Sequence, residues 1–121
     1  MILLDSSAWI EFLTGGPGSA RLERLMDRPA EIVTPTVVLY EVYKKLKRER
    51  GEEAALAAVA QLTQTRIVPL DEADALSAAD ISLRYGIPMA DAMVAAAAVT
   101  HKAKVLTFDQ DFKKIPWAEV L

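Results

Sequence analysis

The sequence predicts an α/β domain built around a parallel sheet, and three observations predict it. Apolar runs of roughly five residues alternate along the chain with longer segments of helical spacing, the pattern of strands joined by crossover helices. Acidic residues follow two of those runs directly, at Asp5 and Asp109, where parallel strands hand over to the loops that carry ligands. The length of 121 residues, with 52% hydrophobic and 26% charged, suffices for one ordered core. One domain over residues 1–121 is expected, without repeat, linker or low-complexity tail.

Met1–Leu4 is a compact apolar strand, and Ser7–Leu13 reads as a helix closed by Gly15-Gly16-Pro17-Gly18. Ser19–Arg28 reads as a second helix, because Leu22, Leu25 and Met26 recur at helical spacing. Glu31–Thr34 is the next strand. Thr34-Pro35-Thr36 opens a long helix, with Thr as cap and Pro in the first turn, which Gly51 stops after Arg50. Glu52–Thr65 is helical, Arg66–Leu70 a strand, and Asp71–Tyr85 a helix ending at Gly86. Pro88 starts a helix to Thr100, Lys104–Phe108 is a strand, and Glu119–Leu121 has the length of a short last one.

Composition removes several functions. No cysteine is present, which excludes disulfides, thiolate zinc sites and a cysteine nucleophile. The single His101 excludes a histidine ligand cluster and reads as a helix-end or partly buried residue. A net charge of -3 and a pI near 5.1 give no global field for nucleic acid or anionic lipid, so contact with RNA needs a local patch. Residues 85–101 are apolar but contain Gly86, Pro88 and Asp91, which fits a buried helix and no membrane span. Met1–Leu4 is too short for a signal core and Asp5 interrupts it, so the cytoplasm is the expected location.

Four acidic residues stand where plain structural duties account for them poorly. Asp5 follows M-I-L-L and precedes Ser6 and Ser7, and Asp109 opens D-Q-D after K-V-L-T-F. Each fits a turn or helix cap, yet both occupy the carboxyl end of a strand. Glu41 shares the helix face of Val37 and Val38, with pairing to Lys44 or Lys45 as the alternative. Asp91 is alone among apolar residues in P-M-A-D-A-M-V-A-A-A-A, so its charge is paired, metal-bound or at a helix start. Two carboxylates about 4 Å apart repel by roughly 4 kcal/mol at an effective dielectric near 20. A cluster therefore calls for a cation, and oxygen donors alone select a hard ion, Mg²⁺ or Mn²⁺. Such an ion serves phosphodiester hydrolysis. The one dense basic run, Lys44, Lys45, Lys47, Arg48 and Arg50, lies on the helix of Glu41; it is either a solvated helix end or a phosphate-binding edge.

Taken in order, L-L-D-S-S-A-W-I-E, V-V-L-Y-E-V, P-M-A-D-A-M-V-A-A-A-A and L-T-F-D-Q-D-F resemble the PIN-domain family over the whole chain. Within that family they are most similar to VapC-type toxins of toxin–antitoxin pairs. The resemblance implies a three-layer α/β/α domain with strand order 3-2-1-4-5 and a Mg²⁺- or Mn²⁺-dependent endoribonuclease. It places the acidic quartet on Asp5, Glu41, Asp91 and Asp109, with Asp111 as candidate fifth ligand. Ser6 or Ser7 and Thr107 fall where the family has hydroxyl residues that orient ligands or water. A homodimer and a cognate antitoxin are the implied partners. A nuclease of the same fold in RNA processing or DNA repair, and a binding module without catalysis, are the competing readings. A phosphorylated receiver domain would need an acidic pair after the first strand and a late lysine at a strand end, and a D-x-D phosphatase would carry its pair after the first strand.

Overall fold

The computed structural model describes residues 1–121. Five strands, β1 (Ile2–Leu4), β2 (Ile32–Pro35), β3 (Arg66–Val68), β4 (Lys104–Thr107) and β5 (Ala118–Val120), form one sheet in the order 3-2-1-4-5. Every neighbouring pair is parallel, with Leu3 opposite both Val33 and Val105. Successive strand residues point to opposite faces, and Leu3 and Leu4 are both fully buried. Both faces of the sheet are therefore covered, and helices flank it as the sequence led one to expect.

The helices are α1 (Ser6–Leu13), α2 (Thr36–Arg50), α3 (Glu52–Leu62), α4 (Glu72–Tyr85) and α5 (Met89–Thr100). α2 packs with α3, and α4 with α5. Fully buried Trp9, Leu22, Val38, Val42, Leu62, Val94 and Phe112 join the strand side chains in one apolar cluster. Gly51 (φ +90°) separates α2 from α3, and Gly86 (φ +67°) closes α4 in the left-handed conformation that glycine adopts without strain.

Two expectations are corrected. Ser19–Arg28 is not an α-helix: two short 3₁₀ turns, Ser19–Arg21 and Glu23–Asp27, span it, and a third, Pro29–Glu31, follows. The Leu22–Leu25 interval of three suits a 3₁₀ turn as well as an α-helix, and Leu22 alone is fully buried. Nor does Thr34 cap α2. Pro35 occupies the cap position without a side-chain bond, and the Thr34 hydroxyl turns to Thr65 at 2.6 Å. Thr65 spends its own proton on the Leu62 carbonyl, also at 2.6 Å. The Thr34 hydroxyl is thus the donor of the pair, since each hydroxyl carries one proton.

The sheet order fixes where a ligand can sit. The chain steps from β1 outward to β3 and then returns to the other side of β1 with β4, so the topology reverses between β1 and β4. In open parallel sheets that reversal leaves a crevice at the carboxyl ends of the strands. Asp5 and Asp109 lie just beyond those two ends. α5 leads into β4, so its first turn, with Asp91, lies at the same edge of the sheet.

Candidate functional site

Asp5 is where α1 begins. Its extended backbone (φ -76°, ψ 177°) makes it the N-cap, and its Oδ1 accepts from the Ala8 N–H at 3.0 Å. The Ser7 hydroxyl donates to the same oxygen at 2.7 Å, and the Thr107 hydroxyl donates to Oδ2 at 2.7 Å. Backbone N–H groups beyond β4 complete the network: Phe108 donates to Ser7 Oγ and Asp109 to Thr107 Oγ1, each at 2.9 Å. Both hydroxyl protons are committed to Asp5, so the 3.2 Å approach of Ser7 to Thr107 adds no bond of its own. The capping and site readings of Asp5 are therefore compatible. A cap that needs only Ala8 has acquired two further donors, one from across the sheet.

Burial pushes the Asp5 carboxyl above its ordinary range despite the bonds from Thr107, Ser7 and Ala8, and the Asp109 charge adds to the rise. Glu41 is shifted the same way. Burial raises it most, the neighbouring Ser6 hydroxyl lowers it, and Asp5 and Asp109 raise it again. Neither Lys44 nor Lys45 pairs with Glu41. Lys44 Nζ lies 3.3 Å from Tyr40 Oη, and no lysine is within 4.0 Å of the Glu41 carboxylate. The two hydroxyl candidates also separate: Ser7 holds Asp5, while Ser6 stands beside Glu41.

Asp91 is the third residue of α5, and the helix behind it buries Ala92 and Val94–Ala98. Its carboxyl is pushed up to about 7, first by burial and then by the charges of Asp109, Asp111, Asp5 and Glu41. Carboxylate oxygens of Asp91, Asp109 and Asp111 lie within 4.8 Å of one another. Asp109 also does the turn-forming work expected of it, since its Oδ1 accepts from the Asp111 N–H at 2.9 Å. That bond caps the 3₁₀ turn Gln110–Lys114, which brings Asp111 into the cluster beside Asp109. None of Asp5, Glu41, Asp91, Asp109 and Asp111 has a basic group within 4.0 Å. The structure thus brings all five acids into electrostatic contact, with Asp91, Asp109 and Asp111 tightest and Asp5 and Glu41 bordering them.

A cleft of about 400 Å³ opens beside this cluster, lined by Ser6, Ser7, Ile10, Glu11, Glu41 and Lys45. Glu11 was not anticipated from the sequence. Its Oε2 accepts from the Gly18 N–H at 2.9 Å, and a side chain at Gly18 would meet the Phe108 ring. The glycine-rich loop is thereby held against the segment that follows β4. Tyr40 and Tyr43 stand near Glu41 in V-V-L-Y-E-V-Y but carry no charge, so the sequence carries no signal for them.

A profile of the PIN domain matches residues 2–118. The chain belongs to the PIN-domain family. Among solved structures, Mycobacterium tuberculosis VapC20, described as a sarcin-ricin loop cleaving toxin, is 25% identical. It superposes with a TM-score of 0.83 over 99% of this chain and 98% of that one. A toxin–antitoxin complex from Klebsiella pneumoniae matches at 0.82 with 21% identity over 99% and 97% of the two chains. DNA-bound VapBC from Salmonella typhimurium matches at 0.79 with 22% identity over 100% and 98%. A search of curated proteins gives no match. The PIN fold accounts for the strand order and for the switch point at which Asp5 and Asp109 stand. No helix of this PIN domain is long and apolar enough to cross a membrane.

Proposed function

We propose that residues 1–121 act as one metal-dependent endoribonuclease domain, the toxin of a VapBC-type pair. The observation that carries this reading is the group of five carboxylates with no cationic partner, one of them pushed up to about 7 by burial first and then by the others. Such a group is unfavourable until a cation neutralises it. Its donors are all oxygens, which suits Mg²⁺ or Mn²⁺ and disfavours zinc. Asp91, Asp109 and Asp111 would hold the ion, with Asp5 and Glu41 completing the set from the neighbouring elements. When bound, it supplies Lewis-acid stabilisation of phosphate charge and acidifies water.

The protein's own groups do the rest. Ser7 and Thr107 fix both oxygens of Asp5, so the carboxylate cannot rotate when charge develops beside it. Glu41 borders the cleft and, beside the ion, would accept a proton from an attacking water. Lys45 lines the same cleft and is placed to meet a phosphate oxygen.

RNA rather than DNA as substrate is supported by the description of the VapC20 neighbour as a sarcin-ricin loop cleaving toxin. An antitoxin partner is supported by the toxin–antitoxin assemblies from Klebsiella and Salmonella. Self-association is supported by apolar surface: Leu76 and Leu83, seven residues apart and so on one face of α4, are 67% and 86% exposed, and Met89 is 72% exposed. The test of the activity uses the purified chain, free of partner, with structured RNAs. Cleavage should appear in Mg²⁺ or Mn²⁺ and stop in chelator. Cleavage that persists in chelator, or needs zinc, would overturn the mechanism.

A further inference from the structure

The carboxylate cluster that suits a cation repels the phosphates of its own substrate, so RNA must be drawn in by something beside it. The outer side of α2 carries what is needed. Tyr40, Tyr43, Lys44, Lys47 and Arg48 line an open groove of about 480 Å³, and a second hollow joins it to Glu41 through Tyr40, Lys44, Lys45 and Arg48. Groove and acidic site are thus continuous. Tyr40 is 60% exposed, and Lys44 Nζ lies 5.5 Å from the centre of its ring. Lys47 Nζ lies beside the Tyr43 hydroxyl in the same way, 3.3 Å from Oη and 5.4 Å from the ring centre. Lys47 and Arg48 each have a carboxylate within 3.8 Å, but Lys44 and Lys45 have none.

We propose that this groove is the docking track for an unpaired stretch of RNA, with Tyr40 stacking on a base next to the scissile phosphate and Lys44 on the adjoining phosphate. The proposal rests on the nuclease reading for its substrate but makes a separate claim about substrate form. The walls of the groove are tyrosine rings beside lysine and arginine stems, the combination that binds single strands through base faces and backbone charge together. A chain of net charge -3 presents these cations on one helix face beside its acidic centre, so the charge complementarity is local. A paired duplex offers its phosphates but hides its base faces, so the rings have nothing to stack on. Tyr43 packs partly against the core, which leaves Tyr40 as the ring free to meet a base.

The test is fluorescence anisotropy in chelator, so that no strand is cut. Its probes are a short unpaired oligoribonucleotide, the same strand in a duplex, and an abasic strand of equal phosphate number. Tyr40→Ala should weaken binding to the unpaired strand roughly 5- to 150-fold, while Tyr40→Phe, which keeps the ring, should bind as the parent does. Lys44→Ala should flatten the plot of log affinity against log salt by about 0.7, the value of one single-strand phosphate contact, and Tyr40→Ala should leave that slope alone. Equal affinity for duplex and unpaired strand would overturn the proposal. So would a Tyr40→Ala loss of the same size on the abasic strand, no RNA binding by the parent protein, or indifference to Tyr40→Ala, the outcome expected if the groove serves a protein partner. Ring-dependent binding without cleavage in Mg²⁺ would sink the nuclease reading and leave this inference standing. Cleavage with ring-independent binding would do the reverse.

Discussion

At the scale of single residues, Asp91 sets two effects against each other. A carboxylate in the first turn of a helix gains about 0.3–1 kcal/mol from the helix dipole, which would lower its pKa. Its carboxyl is instead pushed up to about 7 from 3.8, so burial and four like charges outweigh the dipole. A carboxyl raised in the folded state gives stability that is complete below its unfolded pKa, about 4, and is lost as the pH rises through its folded value. Asp5 and Glu41 are displaced in the same direction. In chelator, the melting temperature should therefore fall between roughly pH 4 and pH 7. A flat or rising profile over that interval would show that these charges are not in strain. Asp91 was legible in the sequence because a lone charge in an Ala-rich helix must answer to something. Asp111 was legible as a candidate ligand only through the family resemblance, since its place in the cluster depends on a backbone bond to Asp109 that spacing alone does not show.

Between elements, the tie that matters joins the start of α1 to the end of β4. The Thr107 hydroxyl donates to Asp5 and accepts from the Asp109 N–H, so one buried side chain sets two acids of the site relative to each other. Thr107→Val keeps the shape but strands the Asp109 N–H and removes a charge-assisted bond. It should cost about 1–3 kcal/mol in urea unfolding. A loss below about 0.5 kcal/mol, the size of an ordinary surface change, would mean that Ser7 and Ala8 hold Asp5 unaided. Strands and long helices could be read ahead because their punctuation is chemical: Gly51 and Gly86 sit at positive φ where α2 and α4 end, and acids follow β1 and β4. The segment from Ser19 to Arg28 could not. Its apolar residues at intervals of three and four do not separate 3₁₀ turns from an α-helix, and the decision falls to the packing of Leu22. Thr34 likewise looked like a cap because its partner, Thr65, is thirty-one residues away in the chain.

For the whole molecule, the surface left uncovered carries the next prediction. Leu76 and Leu83 share a face of α4 and are both largely exposed. If that face joins two copies, light scattering should give a dimer for the parent protein and a monomer for Leu83→Glu, with the fold retained. A parent protein that is monomeric at micromolar concentration would remove self-association from the account. The central claim, that the acids form one cation site, is tested most directly by thermal melts of the parent and Asp91→Ala at about pH 8, in chelator and in millimolar Mg²⁺. Binding only to the folded state adds about 2.7 kcal/mol when the ion is at a hundred times its Kd, so the parent should melt higher in Mg²⁺. Asp91→Ala should match or exceed the parent in chelator, because one repelling charge is gone, and should gain little from Mg²⁺. A parent indifferent to Mg²⁺, with a mutant destabilised equally in both buffers, would contradict the account and return Asp91 to the role of a helix-start residue.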